Sequence, residues 1–212
     1  MKKEIITENG VYSFKEVQLF LGRKVLNPQI SKKNLHDFNR VMEVNGLKYG
    51  LWFGTLLGAI REGGFISYDE DIDIYMLNED RKKFLNALFD FKKHGFKVAR
   101  YRQKTGLLSL IRNDDYIDIY FYRKSLNKRI MGNNSIDAKY LENTENIDFL
   151  GMQIPVPVNS IQVLKIMYGE DWHIPNKDGK PINKSFKRVT KDFLIDKLPF
   201  IHRLFNTALS RK

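Results

Sequence analysis

Residues Leu51–Met76, LWFGTLLGAIREGGFISYDEDIDIYM, decide the fold. Leu47 to Phe53 reads as a strand ending in Gly54-Thr55, after which Leu56, Leu57, Ala59 and Ile60 suit a short helix. Gly63-Gly64 breaks that helix and returns the chain through an acidic strand, Tyr68 to Met76. Side chains alternate along a strand, so Asp69, Asp71 and Asp73 are expected on one face with Ile72 and Ile74 on the other. Three carboxylates a few ångströms apart raise one another's pKa and destabilise the fold unless a cation compensates them. An all-oxygen ligand set suits Mg²⁺ or Mn²⁺.

Working outward, Leu35, Phe38, Val41 and Met42 predict a helix over Ser31 to Asn45, capped by Ser31 and stopped at Gly46. Asn78 is read as the cap of a helix reaching His94, with Phe84, Leu85, Leu88 and Phe89 as its apolar stripe and Gly95 as its stop. Three strands are expected over 96–101, 106–111 and 116–122, the last carrying Asp118 between Ile117 and Ile119. An acid in that position, in a mixed sheet beside the first acidic strand, is read as a further member of the acidic cluster. From Tyr122 to Leu150 the chain reads as loop, then as an extended edge segment over 152–158 and a helix from Ser160 to Tyr168. These elements predict an α+β domain over 31–172, preceded by an extension over 1–30.

Residues 173–212 are expected to form a loop followed by a basic amphipathic helical extension, in which Lys187, Arg188, Lys191 and Lys197 mix with Phe193, Leu194 and Leu198. Two readings of that segment stand: a helix packed on the domain, or peripheral contact with an anionic membrane surface.

The chain's 36 Lys and Arg against 25 Asp and Glu give a formal charge of +11, which favours phosphate-rich partners. The absence of cysteine excludes disulfides and thiolate zinc sites. The histidines His36, His94, His173 and His202 form no paired metal motif. No apolar run reaches the roughly 18 to 20 residues of a membrane span, and the start breaks at Glu4, Thr7 and Glu8 before a signal-peptide core forms, so a cytoplasmic location is expected.

Asp69, Asp71 and Asp73 match the first alternate positions of a calcium-binding loop, but Ile74 stands where that loop needs Gly, and Asp80 where it needs a bidentate Glu. Phosphoryl or nucleotidyl transfer accounts for both halves of the motif, because positioning and charge neutralisation lower its barrier. Asp71 and Asp73, with Asp118 from a neighbouring strand, can hold two cations roughly 4 Å apart. Gly54 would let the backbone approach a phosphate, Thr55 at a helix start offers an amide and a hydroxyl, and Arg61 can reach the same anion. Asp118 is also weighed as a general base.

The run GTLLGAIREGGFISYDEDIDI resembles the signature of the LicD/fukutin family of the nucleotidyltransferase superfamily, as does the later VPVNSIQVLKIMYGEDW, with Pro157, Leu164, Tyr168, Gly169 and Trp172 at matching places. Ser67, Tyr68 and Glu70 depart from the family's Pro, Trp and Asp, and none of these changes removes an alternate-face carboxylate. The resemblance implies a nucleotidyltransferase-like mixed sheet with flanking helices. It assigns Gly54, Thr55 and Arg61 to phosphate or donor binding, and Asp69, Asp71 and Asp73 to metal binding or catalysis. It also implies transfer of a phospho-alcohol, such as phosphocholine or ribitol phosphate, from a CDP-activated donor to a sugar hydroxyl of a glycan, lipid-linked saccharide or teichoic-acid-like precursor. Two alternatives stand beside it. One is a nucleotidyltransferase moving NMP from an NTP to a small molecule, protein or RNA end. The other is a non-catalytic nucleic-acid or membrane-binding module, against which the intact acids argue.

Overall fold

A computed structural model describes residues 2–20 and 22–175; most of the loop and all of the basic helical extension expected over 173–212 lie outside them. The chain opens with an antiparallel hairpin, β1 (Lys2–Thr7) and β2 (Gly10–Lys15), turned by Gly10 at φ +116°. A connecting strap then crosses the domain, held by the Val17 amide on the Ala99 carbonyl and the Leu26 amide on the Asp69 carbonyl, both at 2.9 Å.

Helix α1 (Pro28–Val44) starts ahead of the expected Ser31 cap. The Asn27 side chain accepts from the amides of Gln29 and Ile30, and Pro28 brings a helix-ready φ with no amide to satisfy. Ser31 is buried inside the helix and donates its hydroxyl to Asp115 at 2.9 Å. The expected strand over 47–53 shrinks to β3 (Gly50–Leu51): the Trp52 amide still bonds in register to the Asp73 carbonyl, but Phe53 already begins α2 (Phe53–Arg61).

The acidic strand is β4 (Ile72–Leu77), shorter than expected at its start. The helix expected over 78–94 divides into a 3₁₀ turn, Asn78–Asp80, then α3 (Arg81–Asn86) and α4 (Leu88–Lys93). The break at Ala87 lets Phe84 and Phe91 both face inward, their rings 5.3 Å apart. Strands β5 (Lys97–Arg102), β6 (Leu107–Arg112) and β7 (Asp115–Ser125) follow.

The stretch expected as loop is mostly strand: β8 (Lys128–Met131), β9 (Asn134–Asp137) and β10 (Thr144–Phe149), the last paired with β11 (Met152–Pro157). Two-residue turns with positive φ, such as Leu150 (+58°) and Gly151 (+77°), set these hairpins. Exposed polar positions hide the apolar alternation of β10. Helix α5 (Ser160–Tyr168) closes the described fold, with Asn159 rather than Ser160 as its preceding residue.

The central sheet runs β3-β4-β7-β6-β5, with β4 and β7 parallel and the other neighbours along that path antiparallel, and β8 and β9 continue it beyond β7. One face, carrying Ile72, Ile74, Ile117, Ile119 and Phe121, packs under α1, α3 and α4 through stacked Phe38–Phe91 and edge-on Phe84–Phe121 contacts. Period-two alternation sends Asp73, Tyr75, Asp118, Tyr120 and Tyr122 to the opposite face. Among the described residues no helix is long and apolar enough to cross a membrane.

Candidate metal and phosphate centre

The register of the sheet builds the site. Asp73 faces Asp118 across β4–β7, Asp118 faces Ser109 across β7–β6, and Ser109 faces Arg100 across β6–β5, so one row of four side chains crosses four strands. Asp71, Asp73 and Asp118 offer carboxylate oxygens that all lie within 4.8 Å of one another. Each is at most 5% exposed. Confining three like charges in a buried patch is unfavourable, and a hard, oxygen-preferring divalent cation is the partner that this donor set fits.

Sequence reasoning missed the groups around the acids. The Arg100 guanidinium reaches both Asp118 oxygens, at 2.9 and 3.2 Å, and Ser109 donates to Asp118 at 2.5 Å. The Tyr120 hydroxyl donates to Asp73 at 3.0 Å, and Tyr116 bonds to Asp71. Burial, and then the charges of Asp73, Asp118 and Asp71, push the Tyr120 phenol well above its ordinary pKa, so it stays a donor. Burial and the Asp71 and Asp118 charges do the same for Tyr116. The Tyr168 phenol on α5 is also raised, by burial and then by the charges of Asp73 and Asp69. The alternation Tyr116, Asp118, Tyr120 along β7 carried a signal for these phenols. Arg100 had none that local pattern could show, since its partner lies 18 residues away.

Asp69 departs from the expected shared face. It precedes β4 in a turn, where its carbonyl accepts from Leu26, and it is not part of the three-acid cluster. Strand geometry begins only at Ile72, so the two-residue alternation does not extend back to it. Its carboxylate instead lies against Gly54: a Cβ built on Gly54 would come within 2.6 Å of Asp69 Oδ2. Gly54 thus makes room for a carboxylate.

Thr55 is fully buried, and its Oγ1 accepts the Asp73 amide at 2.8 Å, locking α2 to β4 beside the acids. Before it, Phe53 holds φ +39°, a left-handed conformation that an aromatic residue adopts at a cost of about 1–3 kcal/mol. Its ring packs edge-on to Tyr120 at 5.0 Å. Arg61 ends α2, pairs with Glu62, and lies near enough to oppose the acids' effect on Tyr168. Cavities of about 430 and 400 Å³ lie elsewhere, beside the β1–β2 hairpin and between α1 and the β10–β11 hairpin.

The LicD/FKTN/FKRP nucleotidyltransferase-domain model matches residues 46–159, which hold the three-acid cluster, Gly54, Thr55, Arg61 and Arg100. Lipopolysaccharide cholinephosphotransferase LicD of Haemophilus influenzae is 42% identical over 55 residues, covering 26% of this chain and 21% of that protein. Ribitol-5-phosphate transferase FKTN of Mus musculus is 25% identical over 160 residues, covering 70% of this chain and 33% of that protein. The chain spans less than half the length of the curated relatives it matches. The solution structure of the antibiotic-resistance factor ANT(2'')-Ia superposes with a TM-score of 0.50 at 11% identity, covering 87% of this chain and 98% of that one. That likeness concerns the fold alone.

Proposed function

Because the chain belongs to the LicD/FKTN/FKRP nucleotidyltransferase-domain family, we propose that it transfers a phospho-alcohol, phosphocholine or ribitol phosphate in type, from a CDP-activated donor to a sugar hydroxyl. The observation that carries this reading is the buried cluster of Asp71, Asp73 and Asp118 beside the start of α2. Two relatives are named for moving phosphocholine and ribitol 5-phosphate, which supports the substrate class.

In this reading Asp71, Asp73 and Asp118 hold Mg²⁺ or Mn²⁺. When bound, such an ion supplies neutralisation of phosphate charge and a lowered pKa for a coordinated hydroxyl. The acceptor oxygen bonds to the phosphorus that bears the alcohol, the phosphoanhydride bond to CMP breaks, and the hydroxyl proton passes to water. The amides of Gly54 and Thr55 at the start of α2 bind donor phosphate, with Arg61 adding charge at the far end of the helix. Thr55 acts chiefly by holding Asp73 in place. Asp69 keeps a catalytic part as the partner of the α2 start rather than as a cation ligand. Asp118 accepts from Arg100 and Ser109, so orienting the cation suits it better than acting as a base.

We assign catalysis to residues 31–172, with 1–30 bracing them, and place the reaction on the cytoplasmic side, where the +11 charge favours anionic donor and glycan precursors. Thermal melts with Mg²⁺ and CDP-choline, CDP-ribitol or each NTP test the reading, since a ligand that binds only the folded state raises its melting temperature. Stabilisation by CDP-alcohols with CMP release supports it. Stabilisation by an NTP alone would replace it with nucleotidyl transfer.

A further inference from the structure

We propose that Glu70 is a positioning residue of this centre: it ties the turn that carries Asp71 to Gly22 of the connecting strap, and so holds in place a ligand that the sheet does not reach. This role rests on the cation reading of Asp71, Asp73 and Asp118.

The acids of the cluster are not held alike. Asp73 and Asp118 are register partners inside β4 and β7, where the paired backbones fix both positions. Asp71 stands one residue ahead of β4, so its place depends on the turn before it. Two strap amides reach that turn: Leu26 donates to the Asp69 carbonyl at 2.9 Å, and Gly22 to Glu70 Oε1 at 2.6 Å. The second of these bonds is charge-assisted. Glu70 Oε2 is buried with no hydrogen-bond partner among the described residues, so the Gly22 amide is the bond that orients this carboxylate.

The strap is itself fixed to the sheet. The Val17 amide bonds to the Ala99 carbonyl at 2.9 Å, and Leu19, buried, packs with Ala99 and Tyr116. Tyr116 in turn bonds to Asp71. The strap therefore reaches Asp71 by two routes, through Glu70 along the chain and through Tyr116 on the sheet. Leu19 and Gly22 lie outside residues 46–159, so this support comes from the N-terminal extension and not from the matched segment.

Reach and charge at position 70 can be separated. Glu70→Gln keeps an acceptor oxygen at the same reach and loses the charge, whereas Glu70→Asp keeps the charge and is shorter by one methylene. A group that orients a metal ligand from behind typically changes metal affinity by about 10–100-fold when it is lost.

The test titrates full-length, EDTA-stripped protein with Mn²⁺, following free ion by electron paramagnetic resonance, and reads the melting temperature of each metal-free variant alongside. Glu70→Gln should bind Mn²⁺ with an affinity close to wild type. Glu70→Asp should bind it about tenfold or more weaker. Weakened binding in Glu70→Gln overturns the proposal, because the charge rather than the tie would then be what matters. Wild-type affinity in both variants also overturns it, even with a lowered melting temperature, since that leaves Glu70 a structural tie alone. Should Glu70→Asp not fold, Glu70→Ala takes its place against Glu70→Gln, with the same outcomes. Absence of Mn²⁺ binding by wild type is a different result, which removes the cation reading itself and this role with it.

Discussion

Asp115 and Asp118 stand three residues apart on β7, both buried, yet on opposite faces and in opposite circumstances. Asp115 faces α1 and is answered by the protein: Lys24 Nζ at 2.6 Å, the Asn27 amide at 2.9 Å and the Ser31 hydroxyl at 2.9 Å. Asp118 faces two further carboxylates, with the Arg100 guanidinium on its own oxygens. Burial of an acid is therefore no mark of function in itself. Carboxylates converging from two strands to within ligand distance of one another are such a mark, because that arrangement fits a cation.

The sharpest way to break this contrast is Asp115→Ala. It leaves the Asn27 amide and the Ser31 hydroxyl without their acceptor, leaves Lys24 with Asp114 at 3.7 Å, and removes the brace between the strap and α1, so a loss of about 3–5 kcal/mol is expected in urea unfolding, with turnover per folded molecule kept. Asp73→Asn should do the reverse. Turnover should fall by about 10²–10³, comparable to losing a preorganised charge-stabilising group, while the apo protein melts no lower because a repulsion is relieved. A clear drop in its apo melting temperature would make Asp73 structural, like Asp115.

Gly54→Ala sharpens the comparison at the α2 start. The added methyl must displace the Asp69 carboxylate, at a cost of about 1–3 kcal/mol. In a double-mutant cycle Asp69→Ala should rescue most of that loss, and additive effects would show that the contact does not matter. Tyr120→Phe should have the smallest effect. Loss of one hydrogen bond to Asp73 is worth about 1 kcal/mol, visible as a change in turnover of less than about tenfold.

The motif in β4 was readable because a two-residue period ties sequence to sheet face, and Asp73 and Asp118 duly meet. The same rule misled at Asp69, where the strand has not yet begun. It was silent on β8 to β10, whose short, half-exposed strands resemble polar loop. It also extended β3 and the helix after β4 beyond their observed limits, because α2 begins at Phe53 and Phe84 and Phe91 both turn inward across the break at Ala87.

By itself the sequence determined which side chains could gather on one sheet face, the mixed α+β plan, and the kinship in residues 46–159. The grouping of Asp118 with Asp71 and Asp73 was legible too; tertiary structure alone decided that Asp69 turns instead to Gly54, and that Arg100 and Tyr120 donate to the acids. Local pattern is set by backbone periodicity within a few residues. Charge balance depends on strands that pair across the chain, and their register exists only once the sheet has formed.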